Sequence, residues 1–366
     1  MRVLHVNNEG TWRGGERQAL LTVQEQRRQG VDSHLACRRG SPLEETALAE
    51  GVPIISLPAA APVGVLALRR VAPSFDVLHC HTGRAHSLVA LATIRGQKPL
   101  VVSRRVDFAP RRSWFNCWKY RRADKVVCVS KWVAKIMRDW GLPPEQMSVI
   151  YEAVPSNAFL SRAASLQLLR EKTGVAAGQK IIGNIAALVG HKDHATLLRA
   201  AQVVALRRGD VAFVIVGEGE RKENLLRLRN ELGLAGTVHF TGFIPQAQRL
   251  LLGFDLFAMS SRMEGLGTIV LDAGMAGVPV AATAGGGLPE AVLHDQTGLI
   301  VPVGDGAALA EALLRLLDDT ALAGRLARAA RQRTETEFSV ANMARCHVEI
   351  YKALPVVNTC APPGLL

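Results

Sequence analysis

RVLHVNN, residues 2–8, is followed one position later by GTWRGGERQALLTVQEQRRQG, residues 10–30, and this pair decides the fold. A short apolar run ending in polar residues, a glycine turn and then apolar positions at helical spacing describe a strand, a loop and a helix, the first step of a doubly wound α/β domain. Working outward, further short apolar runs follow at SHLAC, VPIISL, DVLHCH, PLVVS, KVVCVS and MSVIYEAV, each separated by helical or polar sequence. Such alternation predicts parallel strands joined by helices. A polar passage from Ser156 to Gln179 interrupts the rhythm. It resumes with KIIGNIAAL, a helix over about 194–208, VAFVIVGEG, a charged helix over RKENLLRLRNELGL, then TVHFTGF, LFAMSS, VPVAAT and TGLIVPV. Three helical patterns and a loose end, PVVNTCAPPGLL, come after the last strand. Two α/β units explain this order better than one very large sheet.

A chain of 366 residues exceeds one average domain. With 48% apolar and 21% charged residues it can fill two cores. No stretch reaches the roughly 18 apolar residues of a spanning helix. The start MRVLHVNNEG turns polar too soon for a signal peptide, so a cytoplasmic protein is expected. Cys37, Cys80, Cys117, Cys128, Cys346 and Cys360 are scattered without a CxxC pair, which suits reduced thiols rather than a disulfide frame or a zinc site. The net charge of +12 is unevenly spread. Residues 1–160 carry 23 basic and 13 acidic side chains, and Arg104 to Arg138 alone holds 11 basic and 2 acidic ones.

A second stretch, SSRMEGLGTIVLDAGMAGVPV at residues 260–280, carries the chemistry. Ser260, Ser261, Gly265 and Gly267 supply a pliant loop, and Thr268 to Met275 has helical length before Gly277 and Pro279 end it. Amides at a helix start bind anions. Asp272 then lies about two turns inside the helix, where a carboxylate can accept from sugar hydroxyls. One reading is a pocket for a nucleotide-linked sugar. The alternative is that Glu264 complements the helix dipole and Asp272 is solvated.

In order and spacing, NNEGTWRGGERQ, ADKVVCVSKWV, MSVIYEAV, VIVGEGE, VHFTGF and SSRMEGLGTIVLDAGMAGVPVAATAGGGLPEAV resemble the family-4 retaining glycosyltransferases of GT-B fold, glycosyl transferases group 1, over nearly the whole chain. The resemblance implies an α/β protein of two Rossmann-like doubly wound domains facing a central cleft. Residues 1–160 would bind the acceptor and 178–335 the nucleotide-sugar donor, with a helix over 336–354 returning to the N-terminal domain and a tail over 355–366. It implies a hexosyltransferase moving sugar from a UDP- or GDP-sugar to a lipid-linked or phosphorylated cell-envelope glycan such as lipopolysaccharide core. The family's E-x7-E signature falls on Glu264, which would face the transferred sugar, and on Asp272, one methylene shorter, for the ribose. Gly265, Gly267 and Thr268 would offer backbone amides to the donor, Gly14, Gly15 and Gly217 would contact it, and Gly285, Gly286 and Gly287 would line the next loop. Lys192 matches the lysine of a diphosphate clamp, but Asn184 and Ala187 cannot replace the family's arginine. Many relatives carry a histidine near Arg105; here Asp107 and His81 are the catalytic candidates. These departures leave open a catalytically weak GT-B protein that binds nucleotide or glycan.

Retaining transfer asks a protein to stabilise an oxocarbenium ion and a departing diphosphate. With no DxD pair, a metal-independent reaction without a cofactor is expected. His79 and His81 read as a metal pair only with a third ligand, and none is apparent; structural or acceptor-contact histidines are the alternative. RRVDFAPRRSWFNCWKYRRADKVVCVSKWVAKIMRDWG interleaves bases with Trp114, Phe115, Trp118, Tyr120, Trp132 and Trp140. This suits an anionic membrane surface or a phosphorylated glycolipid, with Arg104, Arg105, Arg111, Arg112 and Trp114 as contacts and peripheral attachment at the inner face of the cell membrane. Alternatively Trp118, Val133, Ile136 and Trp140 are core and only the charges are solvated. No nucleic-acid motif accompanies the charge, so a nucleic-acid partner is not expected.

Overall fold

The computed structural model describes residues 1–93, 98–156 and 159–355. Two parallel sheets carry the chain. The first contains β1 (Arg2–Asn7), β2 (Asp32–Arg38), β3 (Ile54–Leu57), β4 (Val77–Cys80), β5 (Leu100–Arg104), β6 (Lys125–Cys128) and β7 (Met147–Val149), in the order β3-β2-β1-β4-β5-β6-β7. The second contains β8 (Lys180–Ile185), β9 (Val211–Val216), β10 (Val238–Gly242), β11 (Leu256–Met259), β12 (Val280–Thr283) and β13 (Leu299–Val301), in the order β10-β9-β8-β11-β12-β13. Two compact units result: Met1–Glu152 with the chain from Val340 onward, and Ala153–Ser339.

Parallel sheets are covered by helices on both faces, so their strands read as unbroken apolar runs. All six residues of β9 are buried, and Phe213 and Ile215 pack with Leu197, Val238 and Leu256 in the core of the second unit. In the first unit Leu20 and Val23 of helix Gly14–Arg28 lie with Leu35 and Cys37 of β2. Each such apolar side chain contributes about 1.5–3 kcal/mol on burial.

The polar passage before β8 holds a helix, Arg162–Thr173, which belongs to the second unit. Ser161 caps it, its Oγ accepting from Ala164 N–H at 3.2 Å, and Gly174 at φ +72° ends it. Only Ser165 and Leu169 are buried on it, a stripe too narrow to show as helical periodicity. At the other end of the chain, helix Val340–Ala353 packs on helix Gly14–Arg28 and turns Met343, Ala344, His347 and Tyr351 inward. Residues 356–366 of the expected tail, Cys360 among them, lie outside the described residues; the other five cysteines are free thiols. Among the described residues no helix is long and apolar enough to cross a membrane.

Strand order reverses between β1 and β4 in the first sheet and between β8 and β11 in the second. In doubly wound sheets ligands collect beyond the carboxyl ends of the strands at this reversal. The segments after those four strands carry Gly14, Gly15, His81, Lys192, Glu264, Gly265, Gly267, Thr268 and Asp272.

Candidate functional site

At the reversal of the second sheet, the turn after β8 and the loop after β11 are stitched together. Lys192 closes a short turn over Gly190–Lys192, and Asp193 follows at φ +48°. Ser260 Oγ donates to Lys192 O at 3.0 Å, and Arg262 N–H donates to His191 O at 2.8 Å. This register sets Lys192 Nζ 2.5 Å from Glu264 Oε1, an oxygen that also accepts from Ser261 Oγ at 2.7 Å. Glu264 is 8% exposed, so two candidates 72 positions apart form one sheltered ion pair.

The glycines explain how the loop comes so close. Cβ atoms at Gly285, Gly286 and Gly287 would lie 2.2 Å from Ser261 O, 2.4 Å from Glu264 O and 2.3 Å from Gly265 O, so the three glycines form a floor directly under the Glu264 loop. Gly267 at φ +83° adopts the left-handed turn that admits Thr268 as the first residue of helix Thr268–Met275. Asp272 is the fifth residue of that helix, little more than one turn in, and at 1% exposure it is not a solvated aspartate. Gly217 has a packing reason of its own: a Cβ there would meet Ala186 O at 1.9 Å. Asn184 is locked, its Nδ2 donating to Ala258 O at 2.8 Å and its Oδ1 accepting from His194 Nε2 at 3.1 Å. Burial holds His194 down to about 4. With Asn184 fixed and alanine at 187, neither position offers the expected arginine charge.

At the reversal of the first sheet, Gly14 and Gly15 open the helix after β1, and His81 follows β4. Glu16, in the first turn of that helix, is buried and closes the glycine turn: Oε2 accepts from Arg13 N–H at 2.9 Å and Oε1 from Asn7 Nδ2 at 3.2 Å. Burial raises its pKa, opposed by those hydrogen bonds. Beside Gly15 lies Arg105, whose Nε pairs with Glu152 Oε1 at 2.9 Å while Nη1 donates to His81 O at 3.2 Å. Burial lowers the arginine's pKa and raises the glutamate's, and each partner partly offsets the other's shift. A single acid after a strand carries no pattern, so the sequence does not mark Glu152.

The basic segment divides. Arg104 and Arg105, expected at an acceptor or membrane surface, are corrected to interior positions: Arg104 stacks over the Phe108 ring at 5.3 Å and its Nη2 donates to Phe108 O, while Arg105 is sealed in its pair. Arg111, Arg112 and Trp114 are exposed, Trp114 at 79%. Asp107 is half-buried beside them in sequence. Val133 is core, and Trp118, Ile136 and Trp140 are half-buried, so the segment is partly core and partly surface.

The expectation that His79 and His81 lack a third partner is also corrected. His5 of β1 joins them, one ring nitrogen from each lying within 4.8 Å of the others. Gln26 Oε1 accepts from Ser33 Oγ at 2.8 Å and from His5 Nε2 at 2.9 Å, so His5 Nδ1 accepts from His81 Nε2 at 2.8 Å. Gln26 Nε2 donates to Tyr351 OH at 3.2 Å, Tyr351 donates to His79 Nδ1 at 2.6 Å, and His79 Nε2 donates to Ser103 Oγ at 2.8 Å. Both ring nitrogens of His5 and His79 are therefore spent on protein groups, and three-histidine metal ligation would have to break those bonds. Burial drives His5 to about 3 and His347 to about 4 and lowers His79 and His81 as well. A neutral network tying β1 and β4 to the C-terminal helix fits these facts. The signal for it was a histidine inside the apolar run RVLHVN.

Two family descriptions match this chain: Glycosyltransferase Family 4 over residues 12–157 and Glycosyl transferases group 1 over residues 167–333. The chain is a family-4 glycosyltransferase. This glycosyltransferase is 29% identical over 255 residues to the lipopolysaccharide core biosynthesis glycosyltransferase LpsE of Rhizobium meliloti, covering 69% of this chain and 70% of the relative. It is 28% identical over 295 residues to the 2-deoxystreptamine glucosyltransferase of Streptomyces kanamyceticus, covering 78% and 73%. Among solved structures, Anabaena HepE in complex with UDP and glucose superposes with a TM-score of 0.85 at 22% identity, over 97% of this chain and 100% of that one. The apo form of the lipopolysaccharide outer core galactosyltransferase WaaB gives 0.71 at 14% identity, over 97% and 100%. At those identities the solved structures establish the shared GT-B fold of the glycosyltransferase.

Proposed function

We propose that this glycosyltransferase is a retaining enzyme whose second unit takes a UDP- or GDP-sugar and whose first unit holds a phosphorylated or lipid-linked envelope glycan. The sheltered Lys192–Glu264 pair beside the start of helix Thr268–Met275 carries this reading, because it joins a cation suited to diphosphate with a carboxylate suited to an anomeric cation. Lys192 leaves Glu264 for the diphosphate, aided by amides of Gly265, Gly267 and Thr268. The unmasked carboxylate then faces the sugar as positive charge develops. Asp272 takes the ribose hydroxyls. In a front-face displacement the leaving phosphate oxygen accepts the acceptor's proton, so the chain need supply no separate base and no metal.

In the first unit, Asp107 is the acceptor-side candidate, and His81 acts through its carbonyl by positioning Arg105. Exposed Arg111, Arg112 and Trp114 offer an anionic glycolipid, or the inner membrane face, a basic and aromatic contact at a cytoplasmic surface. That HepE binds UDP and glucose, and that LpsE serves lipopolysaccharide core, supports both halves of the reading. The test is turnover of UDP- and GDP-sugars with a core oligosaccharide in the presence of chelator: nucleoside diphosphate is released, and NMR finds the anomeric configuration kept. An inverted product removes the retaining assignment, and loss of rate on chelation removes metal independence. Lys192→Ala should raise the Kd for nucleoside diphosphate by about tenfold; an unchanged Kd would move the donor elsewhere.

A further inference from the structure

Two ion pairs, not one, bridge the turn after β8 and the loop after β11. Beside Lys192 and Glu264, Arg262 Nε meets Asp193 Oδ2 at 2.8 Å. The four residues alternate, with a cation and an acid on each strand of the ladder, so the ladder is electroneutral. A diphosphate entering it must be met by donors that remain available.

The two cations differ in this respect. Asp193 is fixed: its side chain is 5% exposed and the same Oδ2 also accepts from Thr196 Oγ1 at 2.8 Å. Arg262 touches it only through Nε, and the arginine side chain is 62% exposed. A guanidinium carries five N–H donors in a planar fork. One is on Asp193, and neither Nη donates to any described residue in the structure's hydrogen bonds. Arg262 is thus held by its inner nitrogen with its outer fork presented, on a backbone whose height is set by Gly285: a Cβ there would lie 2.9 Å from Arg262 C. Its own N–H is tied to His191 O, so it cannot drift from the Lys192 turn.

We propose that Arg262 is a second donor-phosphate ligand, binding the diphosphate through its Nη fork beside Lys192 and supplying the charge that Asn184 and Ala187 cannot. The assignment rests on the donor-site reading above. Bidentate recognition by Arg262 adds the geometry that a lysine, as a point charge, lacks. Asp193 is then a positioning residue, holding the fork outward.

The experiment measures the Kd of UDP and GDP by calorimetry for the full chain and four variants. Arg262→Gln should weaken the tighter-binding nucleotide by about tenfold, and Arg262→Lys, which keeps a cation without the fork, should fall between it and wild type. Asp193→Asn, acceptable at a left-handed position, removes the ion pair but keeps the guanidinium, so binding should weaken by clearly less than in Arg262→Gln, about threefold. Equal losses for Arg262→Gln and Asp193→Asn would reduce Arg262 to a prop for the turn and overturn the inference. Loss in Lys192→Ala with none in Arg262→Gln would overturn it while leaving the donor site standing. If neither nucleotide binds wild type, or neither Lys192→Ala nor Arg262→Gln changes binding, the donor-site reading falls and the inference with it.

Discussion

The two units reverse strand order in the same way and furnish the reversal with opposite materials. The first fills it with imidazoles, His5, His79 and His81 with His347 against them, and buries His86 elsewhere in the unit, against His194 alone in the second. The second fills it with charges kept on loops, Lys192 with Glu264 and Arg262 with Asp193. Depth accounts for the contrast. Imidazoles buried within the fold are held neutral by desolvation, whereas acids and bases on loops beyond the strand ends keep their charge through pairing, as Arg105 and Glu152 do even in the first unit. Neutral, buried hydrogen-bonded clusters fix structure; paired charges near solvent can exchange partners.

Acid offers the widest break in this comparison. The folded-state pKa of each buried histidine lies below its unfolded value near 6.5, with His5 and His86 near 3 and His347 near 4. Below that unfolded value the unfolded chain binds protons that the folded chain refuses. Stability is therefore complete above pH 6.5 and lost as pH falls toward 4, by up to about 1.4 kcal/mol per pH unit for each group. Glu16 and Glu152 work in the opposite sense, since their carboxyls hold protons more tightly when folded, but they are outnumbered. Hydrogen exchange at pH 7 and pH 5 should show the first unit opening several kcal/mol more easily at the lower pH while the second, where only His194 and His239 are lowered, changes less. Equal loosening of both would show that the imidazoles do not set acid stability.

Glu264→Gln should lower turnover by about a hundredfold, roughly 2.7 kcal/mol, with the melting temperature nearly unchanged. A wild-type rate would make the Lys192 pair a structural bridge, and the two units would then differ less than they look. Tyr351→Phe strips a partner from both His79 and Gln26 and should destabilise the first unit by about 1–3 kcal/mol while leaving nucleotide binding intact. Altered nucleotide affinity in that variant would deny the separation of roles. The smallest effect belongs to the surface: Arg112→Ala or Trp114→Ala should each weaken co-sedimentation with anionic liposomes by about 1 kcal/mol at low salt. Equal retention on neutral vesicles would point to an acceptor surface instead.

Much of the fold was legible because parallel strands buried on both faces announce themselves as short apolar runs, and the glycine turn after RVLHVNN set the winding. Family spacing singles out Lys192, Glu264 and Asp272, and the first two do meet in the fold, but whether Asp272 met water was not legible, since burial depends on what packs over the helix. What stayed hidden lies across the sheet order. His5 meets His81 only once β1 neighbours β4, Arg105 meets Glu152 only once β5, β6 and β7 lie side by side, and Arg262 meets Asp193 only once β8 neighbours β11. Arg104 shows a different blindness: composition revealed that the segment is basic, but not that this side chain turns inward over Phe108.

Tyr351 also imposes an order of events on synthesis. The sheet that carries His79 and Gln26's partner strands is translated first, yet the hydroxyl that joins those two side chains lies in the helix Val340–Ala353, and the whole of Ala153–Ser339 is made in between. At about 5–20 residues per second a ribosome holds the first unit unfinished for roughly 10–40 s. During that interval His79 and Gln26 have no closing partner and the face later covered by Met343 and Ala344 is open, so the nascent chain is most exposed to aggregation while its second half is being built.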